Sequence, residues 1–247
     1  MTGNTTGHLE HLLAVAERPA WLQVSQHRLQ VSKFPLGAGP SILQHRILNG
    51  QWMSHQIDTV HWFSKLPHPR SVVANGGIYV WKDGRKNWDT TMAVFDYGPL
   101  DDMTSGFQVS FASRMHNGDE NPSEIYYSNG GELNLITNKV SPKGGLSERM
   151  AAQMGMKANL LPELSLTDKV EKVVASANTG ADNLTSGHMR NYMECIRSRQ
   201  QPHAPVEAGY NHSIATIMTN AAVRTGGKAT FNEKTQQVMV NGKVFKY

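Results

Sequence analysis

The chain has 247 residues, 39% of them hydrophobic and 18% charged, long enough to bury a core without covalent staples. Lys and Arg exceed Asp and Glu by only 24 to 20, and the basic clusters RSRQQ (Arg197 to Gln201) and SKFP (Ser32 to Pro35) do not read as phosphate-tracking stripes with interleaved aromatics, so nucleic acid is not expected as a partner. Cys195 is the single cysteine, which excludes an intrachain disulfide and a cysteine-built zinc site.

The opening, MTGNTTGHLEHLL, lacks the cationic and then apolar pattern of an export leader, and no stretch approaches the roughly 20 apolar residues of a membrane span. A cytoplasmic chain without a membrane partner is the expectation. His8 to Glu17 reads as a short amphipathic helix ending before Pro19, and Leu22 to Val31 as a strand or extended segment. Gly37 to Pro40 then breaks the chain. Residues 1–51 are thus an atypical N-terminal segment, possible remnant of something larger, and 52–247 form the main domain.

From Ser54, a candidate N-cap, a helix is predicted to about Leu66, stopped by Pro67 and Pro69. Residues 70–140 turn to β pattern: RSVVANGGIYVW, WDTTMAVFDY, GFQVSFASRM, SEIYYS and ELNLI, separated by turn signals at Asp83–Arg85 and Asn129–Gly131. Phe107, Val109 and Phe111 alternate with Gln108, Ser110 and Ala112, the pattern of an antiparallel sheet covered on one face. Short helices are predicted at Ser147–Met154 and Thr167–Ser176, longer ones at Asp182–Arg199 and Glu207–Arg224 with Gly226 as a stop, then short closing strands in KATFN, QQVMVN and KVFKY. The fold class is α+β: an open, largely antiparallel sheet with helices packed on one face.

The most unusual stretch is WMSHQIDTVHWF, Trp52 to Phe63, which sets His55, Asp58 and His61 in an apolar run. Three residues apart on a helix, His55 and Asp58 project together. A carboxylate on one imidazole nitrogen fixes the tautomer and leaves the other nitrogen for proton transfer, so the two are the candidate catalytic pair. Equally, a histidine and an aspartate at this spacing can pair on a plain helix surface. A metal site from His55, Asp58 and His61 is disfavoured because the helix splays the outer two by about 120 degrees. Arg114 and His116, at a strand end and in the loop after it, join His61 as candidate substrate contacts. Cys195, mid-helix among apolar neighbours, reads as an inert core cysteine. GGIYVW and SNGGEL lack the G-x-G-x-x-G order that binds a dinucleotide, so no cofactor-binding residue is assigned.

Several runs carry a family resemblance: SHQIDTVHWFSKLPHPRSVVANGGIYVWKDGR, FQVSFASR, EIYYSNGGELNL and HMRNYMECIRSRQQPHAPVEAGYNHSIATIMTNAAVRTGGKATFN. Together they resemble the C-terminal domain of the Gfo/Idh/MocA oxidoreductases from about residue 52 onward. The resemblance implies a substrate and oligomerisation domain for sugars or polyols. His55 and Asp58 match the family's G-x-x-x-D-x-G-x-H-x-x-D segment, whose histidine is implied to contact or deprotonate the substrate hydroxyl. NAD or NADP is implied for the family, on an N-terminal Rossmann domain of which this sequence carries no fingerprint. Where relatives place an aspartate a turn before the histidine, this chain reads GQWMS, and the family's Glu-Lys-Pro has only a faint echo in Glu17-Arg18-Pro19. Arginine stays protonated and cannot replace that lysine.

Three readings follow: a substrate domain active only with a Rossmann-bearing partner chain and assembled as a homo-oligomer through its sheet; a non-catalytic carbohydrate-binding or oligomerisation module; and a cofactor-independent lyase or hydrolase with His55 as base.

Overall fold

The computed structural model describes residues 28–33, 53–114, 124–166 and 183–246. The helix and strand expectations at 8–17, 22–27 and 167–176, and the break at 37–40, lie outside them.

The first helix, α1, spans Ser54–Ser64 and sends Ile57, Val60 and Phe63 into the core, the i, i+3 spacing of one helical face. It ends at Lys65, whose left-handed backbone lets its N–H reach the His61 carbonyl at 2.8 Å. Ser54 is its first residue rather than its cap: Met53 before it already has helical dihedrals, and no side chain caps the end. Strands β2 (Ser71–Gly77), β3 (Thr90–Tyr97) and β4 (Phe107–Arg114) follow as an antiparallel meander. On one face of it Val72, Ala93, Phe95, Tyr97, Val109 and Phe111 are all 2% exposed or less. The opposite face stays open at Val73, Met92 and Val94, 47%, 61% and 38% exposed. The alternation read from the sequence is thus the division between core and surface.

Strand β1 (Arg28–Lys33) lies parallel to β4 at one edge of this sheet. At the other edge β2 meets β9 (Ala229–Asn232), then β10 (Gln237–Val240) and β11 (Lys243–Val244), all antiparallel, in the order β1-β4-β3-β2-β9-β10-β11. A second sheet has the order β5-β6-β7-β8, from Ile125–Ser128, Gly131–Asn134, Lys139–Ser141 and Leu164–Ser165. Its last two strands are not predicted, being too short to show a period of two. Helix α2 (Glu148–Gln153) is capped by Ser147, whose hydroxyl accepts the Met150 N–H.

Helices α3 (Asn183–Ser198) and α4 (Val206–Thr225) close the helical part. α4 buries Ile214, Ala215, Met218, Ala221 and Ala222 beside α1 on the covered face of the first sheet, and ends in a left-handed Gly226. Seventeen residues of these elements form one apolar cluster, and each large side chain in it contributes roughly 1.5–3 kcal/mol. α3 departs from expectation: Met189, Tyr192, Met193 and Ile196 are 41–51% exposed, and Cys195 is half-buried, its thiol directed at the Gln201 carbonyl at 3.4 Å. It is not a core cysteine. The apolar neighbours that suggested burial form the helix's own exposed stripe.

Candidate functional site

His55 lies in the first turn of α1 with its side chain exposed, and its carbonyl accepts the Thr59 hydroxyl at 3.1 Å. Asp58 lies one turn on, and it has an ionic partner on another helix. α1 and α4 run antiparallel: the Thr219 hydroxyl meets the Met53 sulfur at 3.7 Å, and His212 Nδ1 faces Asp58 Oδ1 at 3.7 Å. That separation is an ion-pair distance rather than a hydrogen bond. His212 Nδ1 is sealed from solvent and makes no hydrogen bond within the described residues.

Behind this pair is a buried layer. His61 is 8% exposed, its Nε2 is 2.9 Å from the Tyr97 hydroxyl, and its Nδ1 is buried without a hydrogen bond. Burial, then the neighbouring His212 and His68, lower its pKa to about 4, so the ring is neutral at pH 7. Burial also raises the Tyr97 phenol well above its usual range. Tyr126 packs edge-on against Phe63 at 4.9 Å and donates to Glu124 at 2.7 Å. Its phenol too is pushed up, by burial and then by the Glu124 charge. His61 therefore sits beneath the surface that carries His55 and Asp58, holding α1 to β3.

Arg114 is exposed at the end of β4, opposite Thr90 of β3, and His116 lies outside the described residues. Sequence reasoning missed His212, Tyr97, Tyr126 and Glu124. A histidine one turn and a half into a strong helix was the available signal for His212, but its partner, Asp58, is near only in the fold.

Among the described residues no group of three or more His, Cys, Asp or Glu side chains is placed to hold a metal ion, and no helix is long and apolar enough to cross a membrane. Nor do these residues form a dinucleotide cradle. Gly76 and Gly77 end β2 and lead into a loop, and Gly130 and Gly131 join β5 to β6. Neither glycine pair opens a helix whose N-terminus could take a pyrophosphate.

No family model matches the sequence, and no curated protein matches it. Its fold, however, is shared with solved oxidoreductases. The oxidoreductase from Sinorhizobium meliloti is 10% identical with a TM-score of 0.55, covering 92% of this chain and 61% of its own. The WlbA dehydrogenase from Bordetella pertussis, solved in complex with NADH and UDP-GlcNAcA, is 12% identical with a TM-score of 0.55, covering 93% and 60%. UDP-N-acetylglucosamine 3-dehydrogenase GnnA from Acidithiobacillus ferrooxidans is 10% identical with a TM-score of 0.52, covering 88% and 58%. At such identities the likeness is one of fold, and this chain spans about three fifths of the length of these proteins.

Proposed function

From a fold that matches about three fifths of Gfo/Idh/MocA-type oxidoreductases, we propose that this chain is the substrate-binding part of such an enzyme. It takes a sugar or polyol derivative and assembles as a homo-oligomer through the open face of its first sheet. Oxidation of the substrate needs a nicotinamide, which on this reading is supplied by a Rossmann-bearing partner. The shared fold is the observation that carries this reading.

On this chain, His55 is the group that removes the proton from a substrate hydroxyl, since it is exposed at the start of α1. Asp58 and His212 form a polar pair one turn behind it. Asp58 works there together with His212 at the substrate face. Arg114 and His116 complete the proposed substrate contacts, and His61, which is buried, acts through the position of α1.

The test is a thermal-shift series on the purified chain with NAD, NADP and a panel of sugars and polyols. A ligand at 100 times its Kd stabilises by about 2.7 kcal/mol, which at this size moves the midpoint by several degrees. A sugar-dependent shift lost in His55→Ala supports the reading. A shift with nucleotide alone overturns it. A sugar shift that survives His55→Ala favours a non-catalytic carbohydrate-binding module. The pairing of Asp58 with His212 on the neighbouring helix, a contact that needs no catalytic role, is the observation that favours that second reading.

A further inference from the structure

Between β2 and β3 the chain leaves the sheet as a lobe, residues 78–89, without helix or strand of its own. One side chain closes it. The Asp89 carboxylate, 0% exposed, accepts the backbone N–H groups of Tyr79 at 3.0 Å, Val80 at 2.8 Å and Trp81 at 2.9 Å, and the Thr90 hydroxyl at 3.1 Å. Its own N–H donates to the Gly77 carbonyl at 3.1 Å. Burial acts to raise this carboxyl, but the three amides and the hydroxyl outweigh it and hold the pKa at about 2. Convergent amides of this kind are usually an anion nest. Here the chain fills the nest itself, and the effect is to fix the shape of what lies above it.

That outer surface is aromatic and cationic. Tyr79 is 62% exposed. The Arg85 guanidinium lies 4.0 Å over the Trp81 ring, and Arg224 lies 5.6 Å over Trp88 from the end of α4. Asp83, the acidic residue of residues 78–88, is paired with Arg85 at 2.5 and 2.8 Å. Lys82 and Lys86 are exposed, so the lobe carries a positive surplus. Arg114, opposite Thr90, adds another cation at the same end of the sheet. The lobe stands apart from the Asp58–His212 pair: Arg224 meets Trp88 twelve residues after His212 faces Asp58, a rise of about 18 Å along α4.

A flat aromatic face receives the C–H face of a pyranose ring, and cations beside it pair with a charged substituent, so the two together select a sugar that carries a charge. We propose that the lobe binds an anionic saccharide, its ring on Tyr79 and its carboxylate or phosphate held by Lys82 and Lys86. This rests on the reading that the chain takes a sugar.

The experiment is calorimetric titration of the full chain with glucuronate, glucose 6-phosphate, glucose and AMP at low and moderate salt. The expected result is that at least one anionic saccharide binds tenfold or more tighter than glucose and weakens with salt. Its affinity should fall about tenfold in Lys82→Gln/Lys86→Gln and in Tyr79→Ala. Comparison of glucuronate with glucose 6-phosphate separates a carboxylate from a phosphate ligand. Equal affinity for glucose, retention of affinity in both lobe variants, or binding of AMP without the saccharides overturns the proposal. If a saccharide binds through the lobe while His55→Ala leaves every sugar response intact, the lobe stands and the catalytic reading falls.

Discussion

Arg70 is the side chain on which most local order converges. Its guanidinium pairs with Asp96 through two bonds of 3.1 Å and donates to the carbonyls of Tyr97, Pro99, Asp102 and Ser105, tying the loop between β3 and β4. Gly106 closes that loop at φ 148°, where a Cβ would stand 2.1 Å from the Tyr97 carbonyl oxygen and 2.5 Å from Arg70 Nη2. Arg70→Ala should cost roughly 3 kcal/mol by leaving a carboxylate and several carbonyls without a donor, read as a lower urea midpoint. Lys at this position restores only part of the loss, because it lacks the planar fork. His61 supplies a pH dependence. With a folded pKa of about 4 against an ordinary value of 6.5, the unfolded chain takes up the proton first. Its contribution is complete above about pH 6.5, declines as the pH falls from there to about 4, and changes no further below. The total is up to roughly 3 kcal/mol, and the stability profile of His61→Gln should lose that slope between pH 4 and 6.5. At this scale the sequence was a partial guide. The spacing of His55, Asp58 and His61 showed that they share a helix, but helical periodicity does not say which of them a neighbour will cover. Val60 and Ile57 anchor the buried side, and His61 follows them inward.

Elements were more legible than side chains. β3 and β4 alternate over eight residues each, and that is enough for the period to stand out. β7 and β8, three and two residues long, exist only because β6 offers an edge to β7 and β7 in turn to β8. The parallel seating of β1 on β4 has no local signature at all, since alternation specifies a face and not a partner. Two predictions belong here. In Asp89→Asn the amides of Tyr79, Val80 and Trp81 lose a charged acceptor, and hydrogen exchange at those three positions should accelerate at least tenfold while β3 keeps its protection. On the open face, Val73 and Val94 stand directly opposite one another beside Met92. If the oligomer forms there, Val94→Glu should shift the chain to monomer by sedimentation without lowering its thermal midpoint by more than a degree or two. An unchanged assembly would exclude this face.

At the scale of the whole molecule, the α+β class and the one-sided helical cover follow from pattern, and the fold agrees with that of proteins only 10–12% identical. The division at residue 51 falls in a stretch outside the described residues and remains an assignment from sequence. The assembled sheet also has a history written into it. Val72 of β2 pairs with Ala229 of β9, and the face of α1 that carries Ile57 and Val60 is covered by α4, so the early elements are completed by elements made well over a hundred residues later. At a translation rate of 5–20 residues per second, roughly 10–30 s separate these partners at the ribosome. Throughout that interval β2 has an open edge and α1 an uncovered apolar face, the features that recruit chaperones and seed aggregation. Nascent chains stalled before α4 should therefore be protease-sensitive across α1 and β2, and acquire protection together once β9 has emerged.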